Sequence, residues 1–131
     1  MNPSQILRGE IYYVSLDPTF GWELAGFKLR PVIVVSLNLL HPQTQMVTVI
    51  PGTDATDKRQ RNNEVLVLPN EIRVNSGMVN PLMKETAFQC HQIRAISQGR
   101  FTQRSRGRVS DAVIARIEDS VRFCLGMERE T

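Results

Sequence analysis

Cysteine is scarce in this 131-residue chain, which has only Cys90 and Cys124. Neither stands in a CxxC or CxxH pattern, so no metal site is expected even though His91 follows Cys90. Two unpaired thiols suit a reducing compartment. No stretch approaches the roughly 18 apolar residues of a membrane span. The opening MNPSQILRGE has neither the basic start nor the apolar run of a secretory signal. A cytoplasmic location without membrane contact is the expectation. The phosphate-cradling and zinc-protease patterns, and the G-x-S-x-G of serine hydrolases, are also missing. The two histidines, His41 and His91, have no such context, and His41 in LNLLHPQTQ reads as a surface residue of a turn.

What is present is ordinary for a globular domain: 41% hydrophobic and 22% charged residues, with net charge +3. The length suits a single domain over residues 1–131, with no internal repeat or linker. The distribution of charge says more than its sum. From Thr86 to Ser110 there is no acidic residue, yet Arg94, Arg100, Arg104, Arg106 and Arg108 fall there. Lys58, Arg59 and Arg61 form a second cluster. Both can bind a polyanion, but from charge alone solvated loops are the favoured reading.

Short runs rich in β-branched and aromatic residues follow one another: GEIYYVSLD (9–17), PVIVVS (31–36), QMVTVI (45–50), NEVLVLP (63–69) and ETAFQCHQIRAI (85–96). The second is apolar on both faces, as a central strand would be. The third is expected to stop at Pro51-Gly52, and the last holds one long strand or two short ones. Five or six such strands predict a mainly β fold, an antiparallel curved sheet or small barrel. The end of the chain differs. Val113, Ile114, Ile117, Val121, Cys124 and Leu125 recur at helical spacing, with Ser110 or Asp111 to cap the start and Gly126 to end it.

With the usual acid–base residues nearly absent, Glu23, Arg30 and a hydroxyl such as Thr53 remain, beside arginine-rich loops. That set suits cleavage of RNA, which carries its own nucleophile in the 2′-hydroxyl. The protein need only align that group, help move a proton and stabilise charge on the phosphate. A guanidinium fits a phosphate bidentately, and a threonine adds a donor. Taken alone, Arg30 reads first as a structural ion-pair residue, with Glu23 a candidate partner.

The stretch RGEIYYVSLDPTFGWELAGFKLRPVIVVS resembles the opening of the MazF/PemK family of toxin endoribonucleases, with its G-x-E-x-[AG]-G loop and its Arg-Pro pair leading an apolar run. VTVIPGT (47–53), NEVLVLP (63–69) and QIRAISQGRF (92–101) match the later landmarks in order, so the resemblance runs from Arg8 to about Phe101. It implies an SH3-like barrel of the PemK type with a C-terminal helix. It also implies a homodimer, a cognate antitoxin and a metal-independent, cofactor-free cleavage of single-stranded RNA. That reaction would leave 2′,3′-cyclic phosphate and 5′-hydroxyl ends.

Carried over by motif, the catalytic residues fall on Arg30 and Thr53, with Glu23 in the same groove as candidate proton acceptor. Lys28, Lys58, Arg59 and Arg61 would bind RNA. Trp22 and Phe27 would stack on bases or pin the loop to the barrel. Two departures stand out: the loop before Arg30 is about two residues longer than the common form, and Gly52 replaces a bulkier residue before Thr53. A non-enzymatic relative of the same fold, which poisons DNA gyrase through an apolar, tryptophan-bearing tail, is the alternative. The charged ending GMERET argues against it.

Overall fold

The computed structural model describes residues 5–21, 23, 29–55 and 62–127. Among these residues eight antiparallel strands form one curled sheet: β1 (Glu10–Val14), β2 (Arg30–Val34), β3 (Met46–Asp54), β4 (Glu64–Val67), β5 (Ile72–Val74), β6 (Thr86–Gln89), β7 (Arg94–Ser97) and β8 (Gly107–Val109). A short helix α1 (Leu40–Thr44) precedes β3, and helix α2 (Asp111–Cys124) follows β8. The main path runs β4-β6-β3-β2-β1-β8-β5, with β7 paired to β3. No helix among the described residues is long and apolar enough to cross a membrane.

Strand β3 is the hub. Its first half pairs β7 through Met46–Val49, its middle pairs β2 through Val49–Pro51, and its end pairs β6 through Gly52–Asp54. The strand therefore runs past Pro51-Gly52 instead of stopping there. The change of partner explains this: a chain leaving one ladder for another tolerates a proline, and glycine admits a close neighbour. A Cβ on Gly52 would lie 2.8 Å from the Phe88 ring and 2.9 Å from the Thr86 methyl. The glycine is there because β6 packs against it.

Alternation along the three central strands feeds two cores. Ile11, Ile33 and Ile50 point to one side, where Phe88, Val113 and Ile117 join them under α2. Val14, Val32, Val34 and Val49 point to the other, with Tyr12 and Phe101 meeting edge to face at 5.1 Å. This double burial accounts for the unbroken apolar character of VIVV. Helix α2 starts as its sequence indicates: the Ser110 hydroxyl accepts from the Val113 N–H.

Two features differ from the sequence reading, and a third settles an alternative it left open. β5 and β8 are extra strands of three residues each, too short to carry a pattern; β8 pairs β1 on one side and β5 on the other, with Ile72 opposite Val109 and Val74 opposite Gly107. The 85–96 stretch is two strands, broken by a tight turn at Cys90–Gln92. His41 is fully buried, not exposed. Its Nδ1 donates to the Ile6 carbonyl at 2.6 Å, and its Nε2 accepts from the Ser36 hydroxyl at 2.5 Å, which itself accepts from the Thr48 N–H. A carbonyl can only accept, so the tautomer is fixed. The chain of bonds ties the N-terminal segment to β2 and β3.

Candidate active site

Arg30 is the first residue of β2, and Thr53 is the second last of β3. The ladder that sets Val32 opposite Pro51 brings these ends together, and the Arg30 Nη1 lies 3.5 Å from the Thr53 Oγ1. That is contact at the outer limit of a hydrogen bond. Pro31 fixes the backbone where Arg30 enters the sheet. Both side chains sit on the lip of a cavity of about 520 Å³.

The rest of the cavity comes from residues the sequence did not propose for the site. Tyr13, Pro31, Gly52 and Asp54 line it from the sheet, and Pro81, Leu82, Met83 and Lys84 line it from the segment before β6. By strand alternation, Arg30 and Thr53 share the side of Val32 and Val49, whereas Tyr13 and Asp54 share that of Ile11 and Ile50. The cavity thus wraps the end of the sheet. Asp54 and Lys84 form an ion pair at 3.2 Å, with both side chains about two-thirds exposed (64% and 68%).

The wall is held in place by its own bonds. The Tyr13 hydroxyl donates to the Pro81 carbonyl, and the Asn80 side chain donates to the Pro69 carbonyl while accepting from the Leu82 N–H. Arg106 lies over the Tyr13 ring, 4.9 Å from its centroid. Burial pushes the Tyr13 phenol above its ordinary range, with Arg106 opposing and Asp54 adding to the shift. The phenol is therefore a donor, suited to holding Pro81.

Glu23 is not brought to this cavity. Its carboxylate accepts from the Phe20 N–H at 2.6 Å, and it lines a separate depression with His91, Gln92, Ile93 and Arg94. The local turn that holds Glu23 points it back onto its own loop. Trp22, Phe27, Lys28, Lys58, Arg59 and Arg61 lie outside the described residues. The arginines of the acid-free stretch mostly hold loops. Arg100 donates to the Ser15 and Asp17 carbonyls, Arg108 to the Arg8 carbonyl, and Arg94 to Gln92. Of that group, Arg106 reaches the cavity, through Tyr13.

Cys90 is buried, and burial pushes its thiol up to about 11; His91 beside it is exposed and accepts from the Asn63 side-chain amide. Among the described residues no group of three His, Cys, Asp or Glu could hold a metal ion. Asp54 carried one legible signal, its place next to Thr53. Tyr13 and the 81–84 wall carried none, because only the sheet's curl brings them there.

Residues 7–125 match the family described as PemK-like, MazF-like toxin of type II toxin–antitoxin system. Endoribonuclease MazF9 of Mycobacterium tuberculosis is 30% identical over 125 residues, which cover 92% of this chain and 96% of that protein. A crystal structure of MazF from Deinococcus radiodurans is similar in fold, with a TM-score of 0.69 at 17% identity, covering 92% of this chain and 96% of that one. So is an endoribonuclease in complex with its cognate antitoxin from a mycobacterial species, with a TM-score of 0.65 at 20% identity over 95% of this chain and 98% of that one. The strand-end pairing of Arg30 with Thr53, the curled sheet under a C-terminal helix and the match over nearly the whole chain lead to one assignment: this protein belongs to the PemK/MazF family of toxins.

Proposed function

We propose that the protein is a toxin endoribonuclease that cleaves single-stranded RNA without a metal, using the substrate's own 2′-hydroxyl. The observation that carries this reading is the approach of Arg30 to Thr53 at the lip of an open cavity. In the reaction the 2′-oxygen attacks the adjacent phosphorus, losing its proton to solvent. The bond to the 5′-oxygen breaks, and that oxygen leaves with a proton from water. The products are a 2′,3′-cyclic phosphate and a 5′-hydroxyl.

A guanidinium donates and does not accept, so Arg30 serves the charge that develops on the phosphate oxygens, not the proton. Thr53 orients the same phosphate through its hydroxyl. Arg30 suits this role because the proline behind it and the strand ladder fix its backbone, leaving only the side chain to settle on the anion.

The toxin reading carries two partners. A homodimer would cover exposed apolar side chains such as Leu37, Leu39, Phe123 and Leu125. A cognate antitoxin with an acidic, disordered segment would compete with RNA for the basic groove. Such a pair acts in the cytoplasm, where messenger RNA is. Incubation with a defined RNA in EDTA, followed by mapping of the new ends, tests the chemistry. Cyclic phosphate and 5′-hydroxyl ends are expected; 5′-phosphate ends, or loss of cleavage in EDTA, would overturn it.

A further inference from the structure

We infer that the cavity beside Arg30 and Thr53 is a guanine-reading subsite, in which Asp54 and Lys84 meet the Watson–Crick edge of one base of the RNA. The inference rests on the endoribonuclease reading for the substrate, and on the cavity's own construction for the base. A volume of about 520 Å³ accommodates a nucleobase with room to spare. Its walls suit one: Pro31, Pro81 and Leu82 are apolar, and Met83, 94% exposed at the mouth, offers a polarisable side chain to a ring. The two sides of the sheet end divide the labour. Arg30 and Thr53 stand where a phosphate would lie, and the cavity opens past them on the side of Tyr13 and Asp54.

The polar groups select the base. Asp54 presents a carboxylate and Lys84 an ammonium, paired at 3.2 Å, so an acceptor stands beside a donor. Every base has a donor beside an acceptor on that edge. Guanine alone adds a second donor, so N1–H and the N2 amine together take both carboxylate oxygens while O6 takes the lysine. A cavity wall that shifted would lose this register. This one is fixed by the Tyr13 bond to Pro81, by Asn80 on both sides of it, and by the Thr86 hydroxyl donating to the Lys84 carbonyl. An ion pair exposed to this degree stabilises the fold little, so both groups can be drawn to a base at small cost to the fold.

The test maps cleavage sites on a random-sequence RNA pool with the wild-type protein and Asp54→Asn. It then compares guanosine with inosine, which lacks the N2 amine, at the selected position of a synthetic substrate. Wild-type sites should share a guanine within a nucleotide of the scissile phosphate. Inosine should lower kcat/KM by about tenfold to a hundredfold. Asp54→Asn should cleave the two substrates equally.

Sites without a shared guanine, or a guanosine preference that survives Asp54→Asn, would overturn the inference. Weak binding of guanosine 3′-monophosphate against inosine 3′-monophosphate, followed by the NMR signal of the Met83 methyl, reads the pocket without cleavage. A guanosine preference there, in a protein that cuts no RNA, would uphold the subsite and sink the endoribonuclease reading. Equal response to both nucleotides would sink the subsite.

Discussion

Arg30 and Thr53 are 23 positions apart in the chain, yet their side chains meet because β2 begins where β3 ends. The antiparallel ladder, not any local motif, makes them neighbours. Arg30→Ala should therefore lower cleavage by a factor of about 10² to 10³, the usual loss of a transition-state contact. Its melting curve should be unchanged. Arg30→Lys keeps the charge and loses the bidentate fork, and should recover little. A variant that melts lower but cleaves normally would make Arg30 a structural residue.

Tyr13→Phe removes the donor to the Pro81 carbonyl while keeping the ring under Arg106. The stability cost should be about 1 kcal/mol. The sharper readout is local: amide exchange at Leu82 and its neighbours should quicken before the rest of the sheet opens. Unaltered exchange across 80–84 would show that the wall does not depend on this bond.

His41→Ala should be among the costlier substitutions, about 2–4 kcal/mol in urea unfolding. It empties a buried site and strands the Ser36 hydroxyl and the Ile6 carbonyl. A surface histidine would cost no more than about 0.5 kcal/mol. The denaturation midpoint distinguishes the two.

Gly52→Ala should destabilise by about 1–3 kcal/mol, since its Cβ would press on Phe88 and Thr86. Phe88→Leu in the same chain should return part of that loss, because the nearest clashing atoms belong to the ring. Strict additivity of the two costs would place the strain elsewhere.

Cys90 gives the protein an alkaline sensitivity. Burial raises its thiol from an ordinary 9.0 to about 11, so between those values the unfolded chain has lost a proton that the folded chain retains. The unfolded state then binds fewer protons, and stability falls as pH rises through that window. Below pH 9 the contribution is fully present. Cys90→Val should flatten the decline between pH 9 and 11 by up to roughly 2–3 kcal/mol relative to the wild type, whatever its effect at neutral pH. Parallel curves would mean that the thiol does not titrate in this way.

The sequence alone determined the elements that announce themselves locally. VIVV is apolar at every position because β2 is buried on both faces, and that is legible without coordinates. The helix at 111–124 carries its spacing, its Ser110 cap and its closing glycine in consecutive residues. Arg30 and Thr53 were legible through the family landmarks on either side of them.

Only the tertiary structure decided the rest. The Ile72–Val74 and Gly107–Val109 strands are too short to have a period; β8 exists because it bridges β1 and β5, and β5 because it completes the edge beside β8. His41 reads as a turn residue until the N-terminal segment folds over it. Glu23 shares a loop with the site in sequence, but its turn directs the carboxylate to Phe20. Asp54, Lys84 and Tyr13 lie on three separate segments, and the curl of the sheet closes them around one cavity. Hydrophobic spacing fixes which face of each element is buried, but which far-off side chains then meet depends on long-range pairing and curvature that no local pattern encodes.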